Sequence, residues 1–220
     1  MKNLNQQILK FDYNQNFTDD DFYVSKSNQH VFDLLNKWPL WEKNFINISG
    51  ENFSGKSHLV NIFLKKFDGI KLDAKSLDDN IIEKIKIYQN IVLENLNQEI
   101  DEKLIYTLIN IIDQDNKYLI VTSTIPIVDI KYNLEDLKSR CKNFLLLNIE
   151  KPDDDLMFAL ILKSLADRQI SLDKKLINFI IKRIDRSYGK ISDFIYKIDE
   201  ISLKKKKSID FKIIKEVLGE

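Results

Sequence analysis

A short glycine-containing loop is the clearest chemical signal in this chain. Residues 50–57 have the spacing G-x-x-x-x-G-K-[ST], which ends in Lys56 and Ser57. In such a loop the backbone N–H groups surround phosphate groups, the lysine reaches the β- and γ-phosphates, and the hydroxyl residue can hold Mg²⁺. The purely structural alternative is a loop whose glycines only end a strand and begin a helix. The apolar run at 45–48 supplies the strand that a phosphate-binding loop needs, and this order of elements favours nucleotide binding. The residues expected at the nucleotide are Gly50, Asn52, Phe53, Ser54, Gly55, Lys56, Ser57 and His58.

A second chemical signal is a carboxylate that follows a buried strand. Residues 91–93 are apolar, and Glu94 comes directly after them. Because ligands of open α/β sheets bind at the carboxyl ends of the strands, we expect this strand to lie next to the loop and Glu94 to hold Mg²⁺ together with Ser57. The alternative is that Glu94 only ends a strand at the surface. Hydrolytic enzymes of this type usually carry a second acid that orients water, whereas this chain has Asn95, which cannot accept a proton. We therefore expect tight nucleotide binding and slow turnover.

Short apolar runs alternate with helical patterns up to about residue 150. This alternation predicts an α/β fold with a parallel five-stranded sheet that is covered on both faces. Strands are expected at 45–49, 70–73, 90–93, 118–123 and 144–149, and helices at 56–66, 76–88, 101–113 and 133–142. Thr124 follows the fourth strand, where its hydroxyl could contact a γ-phosphate, although hydroxyl residues are also common in turns before a proline.

The remaining residues have a purely helical pattern. Beyond Pro152, helices are expected at 153–168, 173–184, 187–203 and 210–218, and their apolar residues recur three and four positions apart. Such helices form a small bundle. The sequence thus predicts an extended N-terminal segment (1–20), a nucleotide-binding domain (21–150) and a small C-terminal helical lid domain (151–220).

Composition narrows the classes of function. The 34 Lys and Arg residues balance the 34 Asp and Glu residues, so the chain lacks the global basic charge typical of generic duplex binding. A single cysteine, Cys141, excludes an intramolecular disulfide, and no charged-then-apolar leader opens the sequence, so a cytoplasmic location is expected. No apolar run approaches the roughly 18 residues of a bilayer span, and we expect no contact with a membrane.

Several motifs together resemble one family. His58 and Leu59 directly follow the loop. Further along the chain come Glu94-Asn95, residues 122–126 and residues 137–140. This order of motifs resembles that of the DnaA family of AAA+ proteins. Residues 22–28 are similar to the family's segment that leads to the adenine site, and residues 37–41 look like the Trp-Pro lead of its α-proteobacterial members. The resemblance covers about the whole chain and is greatest to the short Hda-type regulators of DnaA.

The resemblance implies further site residues. An arginine at the position of Arg140 is the finger that one subunit of the family inserts toward the nucleotide of its neighbour. Phe22 and Val24 would lie at the adenine site, and Thr124 would sense the γ-phosphate. In the helical lid, Lys190 takes the place of an arginine that touches the γ-phosphate; lysine lacks the planar fork, which would weaken the discrimination between ATP and ADP. A plain surface lysine is an equally good interpretation of Lys190.

The N-terminal segment contains a candidate docking peptide. Gln7, Leu9 and Phe11 resemble the short peptide by which Hda-type proteins bind the β sliding clamp of DNA polymerase III. Physically, an extended segment would offer a glutamine for hydrogen bonding and two apolar anchors for a preformed groove. By pattern alone, an ordinary strand or tail is the commoner interpretation, and Lys10 departs from the family's preference.

The resemblance implies a regulator that carries ADP or ATP with Mg²⁺, docks on the DNA-loaded clamp and stimulates hydrolysis of DnaA-bound ATP. DnaA and the clamp would be its partners, sequence-specific DNA binding is not expected, and self-association into a homodimer or larger homo-oligomer stays open. Two other functions also stay open. One is a DnaC-type helicase loader or stand-alone AAA+ ATPase, and the other is a P-loop kinase or transferase.

Overall fold

The computed structural model describes residues 22–205 and 209–219 of the 220-residue chain. Five parallel strands form one sheet in the order β2-β3-β4-β1-β5. The strands are β1 (Phe45–Ser49), β2 (Ile70–Asp73), β3 (Asn90–Leu96), β4 (Tyr118–Ser123) and β5 (Leu145–Asn148). The predicted α/β fold with a five-stranded parallel sheet is thereby confirmed.

One expectation about the strand order was wrong. We expected the strand that carries Glu94 to lie next to the strand that precedes the loop, but β4 lies between β3 and β1. In addition, β3 continues to Leu96, so Glu94 lies within the strand and not after its end. The carboxyl ends of all five strands still meet at the same edge of the sheet because the strands are parallel.

Helices cover both faces of the sheet, as the continuous apolar strands require. The helices of this part are α1 (Gln29–Asn36), α2 (Lys56–Lys66), α3 (Asp79–Lys84), α4 (Glu102–Gln114) and α5 (Glu135–Cys141). Neighbouring residues of β3 point to opposite faces: Val92 packs with residues of α1 and α2, whereas Ile91 and Leu93 pack with residues of α4 and α5. Two separate apolar cores therefore lie on the two sides of the sheet.

Two helical segments differ from the sequence-based expectation. Residues 76–88 do not form one helix, because α3 is followed by a 3₁₀ turn at Ile85–Ile87. The ammonium of Lys117 donates to the carbonyl oxygens of Ile85 (3.0 Å) and Lys86 (2.6 Å), which removes them from an α-helical ladder. The other difference is α1, which the apolar pattern does not predict. The remaining boundaries agree within a few residues.

The C-terminal residues fold into a helical bundle with its own core. Its helices are α6 (Asp154–Ala166), α7 (Lys174–Ile181), α8 (Tyr188–Lys205) and α9 (Phe211–Leu218). Asp153, Asp173 and Asp210 each accept a hydrogen bond from a backbone N–H in the first turn of the following helix, which stabilises the starts of α6, α7 and α9. None of the helices in the described part of the chain combines the length and apolar character of a membrane span.

Candidate nucleotide-binding site

The loop between β1 and α2 has a geometry that depends on its glycines. Gly55 has φ = 90° immediately before α2, and a Cβ there would lie 3.1 Å from Cε2 of Phe22. A non-glycine residue would lose roughly 1–2 kcal/mol from the left-handed backbone alone. A Cβ on Gly50 would lie 3.0 Å from Ser54 Oγ and 3.1 Å from Ile149 Cβ. The two glycines thus allow the backbone to turn tightly at the start of α2, where N–H groups point toward an anion.

Lys56 lies inside this loop. Its ammonium donates to the carbonyl oxygens of Gly50 (2.7 Å) and Glu51 (2.8 Å) and to Ser54 Oγ (3.4 Å). Burial lowers the pKa of Lys56, while the negative charges of Glu51 and Glu94 act in the opposite direction. The two acids therefore lie close enough to share the electrostatic field of this ammonium, which is the group expected to bind the β- and γ-phosphates.

Glu94 has the environment expected of a metal ligand. The residue is buried, and its Oε2 lies 3.3 Å from the ammonium of Lys71 on β2. Among the described residues, no group forms a hydrogen bond with Glu94 Oε1. A buried carboxylate oxygen of this kind calls for a ligand such as a cation. Ser57, in the first turn of α2, is the second residue that could hold Mg²⁺.

Phosphates would have to supply further ligands for such an ion. Within residues 22–205 and 209–219, no cluster of three or more His, Cys, Asp or Glu side chains could hold a metal ion. This agrees with a Mg²⁺ ion bound through one or two protein oxygens and the phosphates of a nucleotide, which is how Mg²⁺ is commonly held. Glu94 Oε1, which has no hydrogen-bond partner among the described residues, and the hydroxyl of Ser57 are the protein oxygens that would hold such an ion.

Asn95 occupies a bulge beside Glu94. It has φ = 62°, and the pairing of β3 with β4 shifts between Leu93 and Leu96. The backbone N–H of Asn95 donates to Thr122 Oγ1 (3.1 Å), and its side-chain amide donates to Asp73 Oδ2 (2.6 Å). Both Asn95 and Thr122 are therefore engaged in protein contacts. Thr124, the predicted phosphate sensor, is exposed one residue beyond the end of β4.

The residues expected near an adenine base lie beside the loop. The ring of Phe22 packs edge-on against His58, with 5.2 Å between the ring centroids, and also contacts Phe32. Phe22 and Tyr23 line one side of an open groove of about 850 Å³, and residues of α6 and α7 line the other. Val24, which was also expected here, is partly exposed. His58 is buried in α2, so packing against Phe22 accounts for much of its environment.

The loop contacts the helical bundle through Glu51, a residue that the sequence analysis did not propose for the site. The carboxylate of Glu51 accepts a short hydrogen bond from the hydroxyl of Ser187 and hydrogen bonds from the backbone N–H groups of Tyr188 (3.1 Å) and Gly189 (3.0 Å). Ser187 Oγ also accepts from the N–H of Lys190 (3.2 Å), while the Lys190 side chain is exposed. The loop thus contacts the start of α8 through Glu51.

The electrostatics of this contact favour an ionised Glu51. Burial acts to raise the pKa of Glu51, but the hydrogen bonds from Ser187, Gly189 and Tyr188 and the charge of Lys151 outweigh it, so the pKa lies below its ordinary value. Tyr188 adds a contact, since its hydroxyl donates to the carbonyl oxygen of Glu150 (3.0 Å). Two sequence signals concern this place: a serine before a helix, which is a common capping residue, and Lys190, which the resemblance places at the γ-phosphate; neither of them indicates Glu51.

Arg140 lies apart from these contacts. It is near the end of α5, its side chain is 36% exposed, and its Nη1 lies 2.8 Å from Oδ2 of Asp113 on α4. An exposed ion pair of this kind stabilises a fold only weakly, which leaves the guanidinium available to other partners. The docking peptide with Gln7, Leu9 and Phe11 lies outside the described residues.

Comparison with known proteins finds similarity to chromosomal replication initiator proteins. No family model matches the chain. The chromosomal replication initiator protein DnaA of Buchnera aphidicola subsp. Cinara cedri is 23% identical over 246 residues, which cover 100% of this chain and 56% of that protein. The crystal structure of domain III of Thermotoga maritima DnaA superposes with a TM-score of 0.74 at 15% identity, covering 94% of this chain and 97% of that one. The fold is that of DnaA domain III.

A nucleotide-bound relative has the same fold. AMPPCP-bound DnaA from Aquifex aeolicus superposes with a TM-score of 0.70 at 21% identity, over 92% of this chain and 70% of that one. The chain spans about half the length of the DnaA proteins that it matches in sequence. The chain is therefore similar to DnaA proteins in sequence and has the fold of DnaA domain III. In this DnaA-like arrangement, the loop, Glu94 and Thr124 all lie at the carboxyl edge of the sheet, where β1, β3 and β4 end.

Proposed function

We propose that this chain binds ADP or ATP with Mg²⁺, docks on the DNA-loaded β sliding clamp and regulates initiation of replication by stimulating hydrolysis of DnaA-bound ATP. The loop that encloses the ammonium of Lys56 is the observation that carries nucleotide binding. In this proposal residues 21–150 form the nucleotide-binding domain and residues 151–220 form its lid. The base occupies the groove beside Phe22, and Glu94 and Ser57 hold Mg²⁺. AMPPCP bound to the Aquifex DnaA supports this choice of ligand.

The chemistry around Asn95 favours a regulator over a rapid ATPase. An amide can position a water molecule but cannot take its proton, and the side chain of Asn95 already donates to Asp73. The neighbouring Thr122 hydroxyl is also occupied, because it accepts from the Asn95 N–H. Slow turnover keeps a nucleotide in place, and a retained nucleotide can fix the position of the lid relative to the sheet.

Arg140 is the residue proposed to act on the partner. A guanidinium placed near a reacting phosphate offsets the charge that develops in the transition state, and arginine fingers supplied in trans contribute roughly 10³ to 10⁵ in rate in GTPases. The ion pair with Asp113 on α4 holds the side chain on the surface of this chain. Exchange of Asp113 for the phosphates of DnaA-bound ATP costs little, because an exposed ion pair contributes at most about 1 kcal/mol.

The decisive experiment measures ATP hydrolysis on DnaA itself. DnaA is loaded with radiolabelled ATP and mixed with clamp-loaded DNA, with and without this protein, and the ADP fraction is followed with time. The wild-type protein is expected to accelerate ADP formation, and Arg140→Ala is expected to lose most of the acceleration. Lys138→Ala is the matched control, since it removes one exposed positive charge from the same helix. Equal stimulation by wild type and Arg140→Ala would refute the role of the finger.

A separate experiment tests docking on the clamp. The double variant with Gln7→Ala and Leu9→Ala removes the proposed hydrogen-bonding side chain and one apolar anchor of the peptide. Surface plasmon resonance with immobilised clamp is expected to show binding by wild type and none by the double variant. Arg140→Ala should bind the clamp as wild type does, because Arg140 lies on α5 and is not part of the docking peptide. Unchanged binding by the double variant would remove the docking peptide from the proposal.

A stand-alone ATPase is the second candidate, and one observation favours it. The carboxylate of Asp73 lies 2.6 Å from the amide of Asn95, at the carboxyl end of β2 next to β3. Asp73 could thus supply the acid that position 95 lacks. In this case the purified chain would turn over ATP at the 1–100 s⁻¹ typical of fast phosphoryl-transfer enzymes, and Asp73→Asn would abolish turnover. Slow turnover that is insensitive to Asp73→Asn would instead support the regulator.

A further inference from the structure

Glu51 occupies a position that an anion would otherwise fill. The first N–H groups of any α-helix lack partners within the helix, and aligned peptide dipoles make that end positive. In α8, an 18-residue helix, the carboxylate of Glu51 accepts from the N–H groups of Tyr188 and Gly189 and from the Ser187 hydroxyl. A Cβ on Gly189 would lie 3.1 Å from Glu51 Oε1, so the carboxylate approaches the backbone of α8 closely.

The same residue belongs to the loop proposed to bind phosphates. Glu51 directly follows Gly50, and its carbonyl oxygen accepts a hydrogen bond from Lys56 at 2.8 Å. Its carboxylate also interacts electrostatically with the Lys56 ammonium. Glu51 therefore connects two parts of the molecule: its backbone is part of the loop that holds Lys56, and its side chain holds the first turn of α8. A negative charge at this place opposes every phosphate group that enters the loop.

We propose that Glu51 positions the helical bundle on the loop and sets the nucleotide preference by disfavouring the γ-phosphate of ATP relative to ADP. This inference rests on the proposed nucleotide site. The γ-phosphate adds negative charge on the side of the loop where Lys56 lies, and there it competes with the Glu51 carboxylate for the Lys56 ammonium and for the start of α8. ADP brings one phosphate fewer to the Lys56 ammonium, so it meets less repulsion from the Glu51 carboxylate.

The change in the dissociation constant can be estimated from the repulsion between two unit charges. Two unit charges roughly 8 Å apart, at an effective dielectric constant of about 20, interact strongly enough to change a dissociation constant by roughly tenfold to thirtyfold. Because the loop is open to water, we expect the lower end of this range. The measured quantity is the ratio of the dissociation constants of an ATP analogue and of ADP, so any general loss of affinity cancels.

The test compares Glu51→Gln with Glu150→Gln. Both substitutions remove one carboxylate, but Glu150 contacts Tyr188 of α8 through its backbone carbonyl, which the substitution keeps. Calorimetry with ADP and AMPPCP, each with Mg²⁺, is expected to show a ratio that falls about tenfold in Glu51→Gln and changes less than twofold in Glu150→Gln. If both nucleotides bind and the ratio in Glu51→Gln equals that of wild type, the nucleotide preference does not come from Glu51. If the wild-type protein binds neither nucleotide, the proposed function itself fails.

Hydrogen exchange tests the positioning role without any nucleotide. Glu51→Ala removes the acceptor for the N–H groups of Tyr188 and Gly189, so their exchange is expected to accelerate about tenfold or more. Amides of the buried strand β4 should exchange as in wild type, which shows that the variant is folded. Unchanged protection at the start of α8 in Glu51→Ala would overturn the positioning role. Glu150→Gln again serves as the control and should leave the exchange of these amides unchanged.

Discussion

Asn47 provides a stringent test of how the sheet is held together beside the phosphate loop. The residue lies in the middle of β1 and is fully buried. Its amide nitrogen donates to the carbonyl oxygen of Val121 (3.1 Å) and to Ser123 Oγ (2.9 Å), and its Oδ1 accepts from the N–H of Ile127 (2.8 Å). These bonds join β1 to the end of β4 and to the segment that follows Thr124.

We expect Asn47→Leu to lower the free energy of unfolding by about 3 kcal/mol. Leucine has a similar size, so the cost comes from lost bonds and not from a cavity. Three hydrogen bonds contribute about 1 kcal/mol each, and a buried N–H of Ile127 without a partner costs about 1–3 kcal/mol more, which the added apolar surface offsets in part. For a chain of this length, 3 kcal/mol corresponds to a fall of roughly 10 °C in Tm.

Urea unfolding followed by circular dichroism measures this change. Asn36→Leu is the control, because Asn36 is exposed on α1 and its two hydrogen bonds, a donation to the carbonyl oxygen of Phe32 (3.0 Å) and an acceptance from the Lys66 ammonium (3.1 Å), are both exposed. That variant is expected to stay within about 0.5 kcal/mol of wild type. A loss below about 1 kcal/mol in Asn47→Leu would show that the three bonds do not hold β1 to β4, and the argument above would be wrong.

Three further predictions concern individual groups. Burial raises the pKa of Cys141 to about 11, so its thiol should not react with a disulfide reagent at pH 8 until the protein is unfolded in urea. Tyr188→Phe removes the hydrogen bond to the carbonyl oxygen of Glu150 and should lower the free energy of unfolding by about 1 kcal/mol in urea titrations, with wild-type circular dichroism. The pKa of Glu51 lies below its ordinary value of 4.5 in the folded protein, so its contribution to stability is complete above that pH and is lost as the pH falls through the folded pKa. The difference in stability between wild type and Glu51→Gln should accordingly be larger at pH 6 than at pH 3, and a pH-independent difference would contradict this.

Local patterns were sufficient to predict the sheet. Three strands, Phe45–Ser49, Ile70–Asp73 and Tyr118–Ser123, have the predicted bounds, because each is a short apolar run flanked by turn residues. The order of the strands was not predictable in the same way. Whether β3 or β4 lies beside β1 depends on how helices cross over the sheet, and no local pattern of residues records that choice. For this reason the prediction that the strand carrying Glu94 lies next to β1 was wrong.

Contacts between residues distant in sequence explain the other differences. The end of α3 depends on Lys117, whose ammonium binds the carbonyl oxygens of Ile85 and Lys86 more than thirty residues earlier. A lysine is ordinarily exposed, and nothing in its neighbourhood in the sequence marks it as buried. A helix prediction from periodicity therefore continued where the structure has a 3₁₀ turn.

In the candidate site, too, local features could be predicted from the sequence, whereas contacts between distant residues could not. The loop and Glu94 could be predicted from the sequence, because the spacing of a phosphate-binding loop and a carboxylate after an apolar run are both local patterns. Glu51 was not recognised, since its partner Ser187 lies 136 residues away and each residue has an ordinary local interpretation. The resemblance implies Lys190 at the γ-phosphate, which stays a prediction, whereas the contact with the loop is made by the Ser187 hydroxyl and the backbone N–H groups of Tyr188 and Gly189. Backbone N–H groups carry no sequence signature, so this part of the site required the structure.

The two outermost strands of the sheet have a consequence for assembly. Both β2 and β5 are only four residues long, and the exposed side of β2 carries Lys71. Strands of four residues are poor templates for the addition of a strand from another molecule, and on β2 the charge of Lys71 makes such pairing less favourable still. We therefore expect contacts with other proteins to be made by side chains on helices and loops and not by strand addition.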